Sequence, residues 1–182
     1  MSTMAGSGGG RRHGDLDLQR PGMSFDATVL GALELATFPH WVCWRYEQGA
    51  SDPKPRKVPK QAGIGWNASS TDPSTWASFD VALKFAEREG LGLGFVFHLR
   101  LNPFAGIDLD GARDPETGLL SPWAESIVAA CGSYAEVSPS GTGVKVVMRG
   151  KPRRDGRKAF TGDTAIEVYG TSRFFTLTGV AL

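Results

Sequence analysis

The chain contains several short runs of β-branched and aromatic residues, each separated from the next by turn residues such as glycine, proline and serine. Such runs, bounded by turn residues, are typical of strands. Between them lie two segments with helix start and stop signals, residues 71–90 and 121–132. In the first, Asp72 and Pro73 suit a helix start and Gly90 suits its end. Hairpins interleaved with helices predict an α+β fold with a mostly antiparallel sheet.

The pattern also predicts where these elements lie. A short helix is expected over 25–36, a strand over 40–47 and a proline-rich basic loop over 51–59. The runs GLGFVFHL and FAGIDLD are expected to form a hairpin through the turn RLNP. A second hairpin is expected between TAIEVYG and RFFTLTG, around GTS. The strands SYAEV and VKVVMR flank the loop SPSGTG.

Composition limits the class of protein. Of the 182 residues, 41% are hydrophobic, which suffices for a core, and residues 1–22 are rich in glycine, serine and charge. We therefore expect a flexible tail over 1–22 and one domain over 23–182. The sequence has no apolar run of membrane-spanning length and no apolar signal region. Cys43 and Cys131 lack metal-type spacing and suit reduced residues in a cytoplasmic protein.

The run FAGIDLD contains two acids two residues apart. Successive side chains of a strand point to opposite faces, so Ile107 and Leu109 share one face while Asp108 and Asp110 share the other. A calcium loop does not fit, because its last ligand position falls on Leu119. Two hard oxygen ligands suit Mg²⁺ or Mn²⁺, whereas the simplest alternative is a solvated strand face.

The loop before the strand VKVVMR resembles a phosphate cradle. Glycines let backbone N–H groups approach an anion closely, and hydroxyl side chains add donors. The order of residues is not that of a Walker loop, and an ordinary glycine-rich hairpin turn explains the loop equally well. The candidate nucleotide-binding residues of this segment are Ser138, Ser140, Gly141, Thr142, Gly143 and Lys145.

A third candidate is Glu167, which lies inside the apolar run AIEVY. Buried carboxylates are rare unless they are paired or bind a metal. Arg173, beyond the next turn, is either its ion-pair partner or a phosphate contact.

Basic residues are concentrated in two segments, 54–60 and 149–158, although the net charge is only +1. Such segments suit a polyanion, and solvated loops are the alternative for each alone. The candidate nucleic-acid contacts are Lys54, Arg56, Lys60, Arg149, Lys151, Arg153 and Arg154.

Taken together, three carboxylates, a phosphate-type loop and basic segments describe a nucleotidyl transferase. Carboxylates can hold divalent ions that stabilise an in-line phosphoryl displacement. The loop and Lys145 can hold a triphosphate, and the basic segments can guide a nucleic-acid backbone.

The chain also resembles the primase–polymerase domain of phage and plasmid replication proteins, a branch of the archaeo-eukaryotic primase superfamily. The likeness extends from about Phe38 to Gly179. It rests on WVCWRYE, the K-x-P of residues 57–59, SSTDPSTW, GLGFVF, GIDLD, EVSPSGTGVKV and IEVYGTSRFFTLTG, in that order. The resemblance implies an RNA-recognition-motif-like, mostly antiparallel catalytic sheet with flanking helices, beside a small N-terminal α/β lobe.

The resemblance also implies roles for residues. The family's metal-binding acids correspond to Asp108, Asp110 and Glu167, with Mg²⁺ or Mn²⁺ as cofactor. Lys57 and Arg173 are implied to lie near the nucleotide or the template. The family usually has histidine where this chain has Lys145. Lysine can still bind phosphate and stays charged at neutral pH.

The prediction is a metal-dependent DNA primase–polymerase core that transfers nucleotides from dNTPs or NTPs to a primer on a DNA template. Relatives usually continue into a helical region and often a helicase, so a replicative helicase is a further expected partner. The alternatives are a nucleotide- or DNA-binding module with weakened catalysis and a metal-dependent nuclease.

Overall fold

A computed structural model of the chain describes residues 24–49, 54–153, 156–159 and 164–182. The predicted tail over 1–22 and the candidate contact Arg154 lie outside these residues. The described chain forms two antiparallel sheets with few helices, which confirms the α+β class.

The helices lie against the sheets. Helix α1 spans Ala27–Ala32, α2 spans Phe79–Glu89 and α3 spans Pro122–Cys131, with short 3-10 turns at Glu34–Thr37 and Pro73–Thr75. Asp26 caps α1, because its carboxylate accepts the backbone N–H groups of Thr28 and Val29. Gly90 and Gly132 end α2 and α3 in the left-handed conformation that glycine adopts without strain.

The first sheet has the strand order β2-β1-β3-β9. Its strands are β1 at Trp41–Glu47, β2 at Arg56–Lys60, β3 at Gly92–His98 and β9 at Thr171–Leu177. The second sheet has the order β5-β6-β4-β8-β7. Its strands are β4 at Phe104–Asp110, β5 at Ala135–Val137, β6 at Val144–Arg149, β7 at Gly156–Ala159 and β8 at Ala165–Tyr169.

Both predicted hairpins are wrong, although their strands form as expected. β3 pairs with β1 and β9, and β4 pairs with β6 and β8. A strand has two edges, so β3 has no edge left for β4. The two edges of β8 are likewise taken by β4 and β7, so β9 joins the other sheet. The chain therefore crosses between the sheets twice, once after β3 and once at Gly170.

Three predicted boundaries also need correction. The expected basic loop contains β2, in which Pro59 is tolerated because β2 is an edge strand. The expected helix over 71–90 is a 3-10 turn capped by Asp72, followed by α2. Ala77 lies between the 3-10 turn and α2 and exchanges both backbone hydrogen bonds with Trp41. This pairing holds the connecting segment extended. The helix expected over 25–36 is interrupted at Leu33, which is extended.

The two faces of the second sheet contact two different apolar cores. One core lies between α3 and the face that carries Ile107 and Leu109. The other core is centred on the aromatic rings of the first sheet. At Gly106 of β4 an added Cβ would lie 2.4 Å from Phe175 and 2.6 Å from Phe97, so only glycine admits these rings. This close approach sets the face of β4 that carries Asp108 toward β9 of the first sheet.

Candidate active site

A row of five charged residues crosses the second sheet, one on each strand. The strand register aligns Glu136 with Lys145, Lys145 with Asp108, Asp108 with Glu167, and Glu167 with Arg157. The signs alternate except between Asp108 and Glu167, which are directly opposed carboxylates. Like charges in opposed positions destabilise a sheet. This pair is therefore where the row favours an added cation.

Lys145 forms an ion pair with one of these carboxylates. Its Nζ lies 2.6 Å from Asp108 Oδ2, and only 6% of its side chain is exposed, against 20% for Asp108. The ammonium also lies 4.2 Å from the centroid of the Phe175 ring, within the range of a cation–π contact. Lys145 is thus held by one residue from each sheet.

The middle of this row, Lys145, Asp108 and Glu167, borders an open cleft of about 820 Å³ between the second sheet and β9. Three predicted cations, Lys57, Lys145 and Arg173, contribute to its wall. So do two of the three predicted acids, Asp108 and Glu167. The remaining lining residues are Gly156, Tyr169, Thr171, Ser172, Phe174, Phe175 and Thr176. The cleft therefore places cations and carboxylates beside aromatic rings and hydroxyl groups.

Lys57 reaches this cleft from β2. Burial and, to a smaller extent, the charge of Lys145 lower the pKa of its ammonium to about 8, against the opposing effects of Asp108 and Asp110. Its Nζ lies 5.7 Å from the Trp44 ring centroid. The surroundings of Lys57 therefore make its ammonium easier to deprotonate than that of an exposed lysine.

Arg173 lies on the exposed part of β9, with its guanidinium carbon 5.3 Å from the Tyr169 ring centroid. Both residues line the cleft. Glu167 and Arg173 are on different sheets but border the same cleft, which places Arg173 where a bound anion would meet it.

Glu136 is a buried carboxylate that the sequence analysis missed. It accepts hydrogen bonds from the backbone N–H groups of Thr178 and Gly179, each at 2.9 Å, and from the Tyr134 hydroxyl at 2.7 Å. Burial raises the pKa of its carboxyl, and these donors and the charge of Lys145 act in the opposite direction. Glu136 joins β5 to the segment after β9, so it links the two sheets beside Lys145.

The phosphate-type loop is organised by its own hydroxyl groups. Ser138 Oγ accepts the backbone N–H of Gly143 at 3.1 Å, and hydrogen bonds join Ser138 to Ser140 and Ser140 to Thr142. Gly141 has a φ of +79°, which favours glycine. Arg113, another residue that the sequence analysis missed, donates from Nη1 to the Gly141 carbonyl at 2.9 Å. The loop and Asp110 are not among the described residues that line the cleft.

Most of the predicted nucleic-acid contacts are exposed. Lys54, Arg56, Lys151 and Arg153 are exposed, and Arg149 is exposed and paired with Glu34. Lys60 differs from these, because it is buried and bonded to Glu47 and Asn67. Lys60 therefore does not share the open surface of the other predicted cations.

Thr176 was also missed. It lines the cleft and is buried, and its hydroxyl has no hydrogen-bond partner among the described residues. No pattern in the sequence distinguishes it from other threonines of an apolar strand.

Comparison with known proteins finds a similar primase-polymerase. Over 148 residues, 80% of its length, the chain is 38% identical to a DNA primase-polymerase of Nitratiruptor phage NrS-1. The chain carries a PrimPol-type domain. The match covers 20% of the relative, so the chain spans about a fifth of that protein. No protein-family model matches the chain.

Among the residues described, this PrimPol-type domain has no helix long and apolar enough to cross a membrane.

The donor chemistry of the PrimPol-type domain suits a hard divalent ion, because Asp108 and Glu167 are opposed carboxylates at a cleft. In the described arrangement, however, the Asp108 carboxylate forms an ion pair with Lys145. Within the described ranges no three His, Cys, Asp or Glu side chains are placed to hold one ion. The residue types fit Mg²⁺ or Mn²⁺, but an ion at Asp108 requires Lys145 to change partner.

Proposed function

We propose that the chain is a metal-dependent primase–polymerase core that transfers nucleotides from dNTPs or NTPs to a primer 3′-hydroxyl on a DNA template. The observation that carries this proposal is the pair Asp108 and Glu167, opposed across two strands in a cleft that also contains three cations. The 38% identity to a DNA primase-polymerase supports the same reaction class. We further propose that the two sheets are those of the archaeo-eukaryotic primase fold.

In this proposal Asp108, Asp110 and Glu167 hold Mg²⁺ or Mn²⁺. When bound, such ions lower the pKa of an attacking hydroxyl and stabilise the charge of a leaving pyrophosphate. The chain's own residues bind and orient the reactants. Lys145, Lys57 and Arg173 bind the triphosphate, and hydroxyl and aromatic groups of β9 form the opposite wall of the cleft.

The loop over Ser138 to Gly143 is proposed as a further triphosphate contact. Its hydroxyl groups, on Ser138, Ser140 and Thr142, offer donors to an anion. The exposed cations Lys54, Arg56, Arg149, Lys151 and Arg153 are proposed to bind the nucleic-acid backbone, so binding weakens as salt concentration rises. A replicative helicase partner, and a phage or plasmid origin of the replication system, belong to the same proposal.

The test is extension of a labelled primer on a DNA template with dNTPs and Mg²⁺ or Mn²⁺. Wild-type protein is expected to lengthen the primer, and the Asp108→Ala/Asp110→Ala variant to lose this activity. The matched control is Asp80→Ala/Glu87→Ala, which removes two exposed acids of α2 and the same charge. Shortened products without nucleotides would instead identify a nuclease. Nucleotide binding without extension under either metal would identify a binding module.

A further inference from the structure

The ion pair between Lys145 and Asp108 places a protein cation where the proposed function needs a metal ion. Lys145 Nζ lies 2.6 Å from Asp108 Oδ2, and its side chain is 6% exposed. A divalent ion bound to the same carboxylate would lie within a few ångströms of the ammonium, and like charges at that separation repel strongly. Lys145 and a metal ion therefore compete for Asp108.

The cleft offers Lys145 no other described anion on the side of β9, where the ring of Phe175 and the cation Arg173 lie. Lys57 is a further cation in the same wall. A triphosphate bound in the cleft would supply the missing negative charge. It would also neutralise the repulsion between Lys145 and the other two cations.

We propose, on the basis of the proposed function, that Lys145 couples nucleotide binding to metal binding: without nucleotide it neutralises Asp108 and weakens metal binding, and a bound triphosphate draws it away. The coupling is a free-energy linkage, so the effect of nucleotide on metal affinity equals the effect of metal on nucleotide affinity. Lys145 is therefore a substrate-binding residue that also makes nucleotide binding and metal binding depend on each other.

The first measurement is the affinity of nucleotide-free protein for Mn²⁺. Electron paramagnetic resonance of the free ion reports how much Mn²⁺ remains unbound. The Lys145→Met variant keeps an apolar stem of similar length but loses the charge. It is expected to bind Mn²⁺ at least about tenfold more tightly than the wild type, because the competing ammonium is gone. The charge-retaining control Lys145→Arg is expected to bind Mn²⁺ like the wild type.

A second measurement follows the other half of the coupling. Without metal, binding of an α,β-imido dATP analogue is expected to weaken at least about fivefold in Lys145→Met, since an ammonium–phosphate contact is lost. Lys145→Gln serves as a second neutral variant if Lys145→Met does not fold, with folding checked by circular dichroism.

Three results would overturn the proposal. Equal Mn²⁺ affinity of Lys145→Met and wild type, with Asp108→Asn still weakening it, removes the competition but leaves the proposed metal site intact. Tighter Mn²⁺ binding with unchanged nucleotide binding removes the coupling. Mn²⁺ binding that Asp108→Asn does not alter in any background removes both the coupling and the proposed metal role of Asp108.

Discussion

Two buried lysines, Lys60 and Lys145, have nearly the same local geometry. Each has 6% of its side chain exposed, and each places Nζ 2.6 Å from a carboxylate oxygen, that of Glu47 for Lys60 and that of Asp108 for Lys145. Their surroundings differ. Lys60 also binds Asn67, and its carboxylate partner binds Arg45, so both members of this pair have further partners within the fold. Beside Lys145, the carboxylate partner faces a second carboxylate, Glu167.

The comparison shows that the length and burial of an ion pair do not decide its role. The pKa of the Glu47 carboxyl is lowered by hydrogen bonds from Lys60 and Arg45, as expected for a closed structural pair. The Lys145 pair lies at the wall of a cleft that also contains Lys57 and Arg173. A ligand that enters this cleft can change the partners of Lys145, whereas the cleft lining does not include Lys60.

The largest expected effect comes from removing the charge of Lys145. We expect Lys145→Met to lower kcat/KM of primer extension by at least about 100-fold, the usual cost of losing one preorganised contact to a reacting group. The measurement is steady-state extension at varied dNTP concentration. Lys60→Met is the matched control and should extend primers at a rate close to that of the wild type. Equal losses in the two variants would contradict the distinction between the lysines.

The second effect concerns stability. We expect Lys60→Met to lower the free energy of unfolding by about 1–2 kcal/mol, because Asn67 loses its donor and Glu47 loses one of its two described cationic partners. Urea denaturation of the nucleotide-free protein measures this change. Lys60→Arg should recover part of the loss, since the charge returns. An unchanged urea midpoint in Lys60→Met would show that the pair contributes nothing to folding.

The strands and their faces could be predicted from the sequence because the two-residue period of a strand is local. The placement of Ile107 and Leu109 on the face opposite Asp108 is confirmed. The pairing of strands could not be predicted from these signals. Which sheet receives β4 or β9 depends on which edges the other strands leave open. Both predicted hairpins were wrong for this reason.

The same limit applies to the site. The residue types of the candidate site follow from local patterns, and Asp108, Glu167, Lys145, Lys57 and Arg173 all line one cleft. The Lys145–Asp108 pair depends on the register of β4 against β6, which no local pattern specifies. Glu136 was missed because its partners, the N–H groups of Thr178 and Gly179, are 42 and 43 residues away in sequence.

The smallest expected effect involves a third lysine, Lys57, which lines the same cleft as Lys145. Burial and the charge of Lys145 lower the pKa of its ammonium from 10.5 to about 8, against Asp108 and Asp110, which raise it. In the unfolded chain Lys57 keeps its proton to higher pH. Its burial as a cation therefore costs stability below pH 8, and this cost decreases as the pH rises toward the ordinary value.

Nucleotide binding should change in the opposite direction from stability. As the pH rises through 8, Lys57 loses the charge that attracts a triphosphate, while Arg173 remains charged. We expect the metal-free affinity for the imido dATP analogue to fall about fivefold between roughly pH 7 and pH 9 in the wild type. Lys57→Arg should show a flatter profile, because guanidinium does not titrate there. Parallel profiles in the two proteins would show that Lys57 does not supply the titrating charge. In that case the difference between Lys145 and Lys60 would rest on the partners of Lys145 itself, and not on the charge of Lys57 in the same cleft.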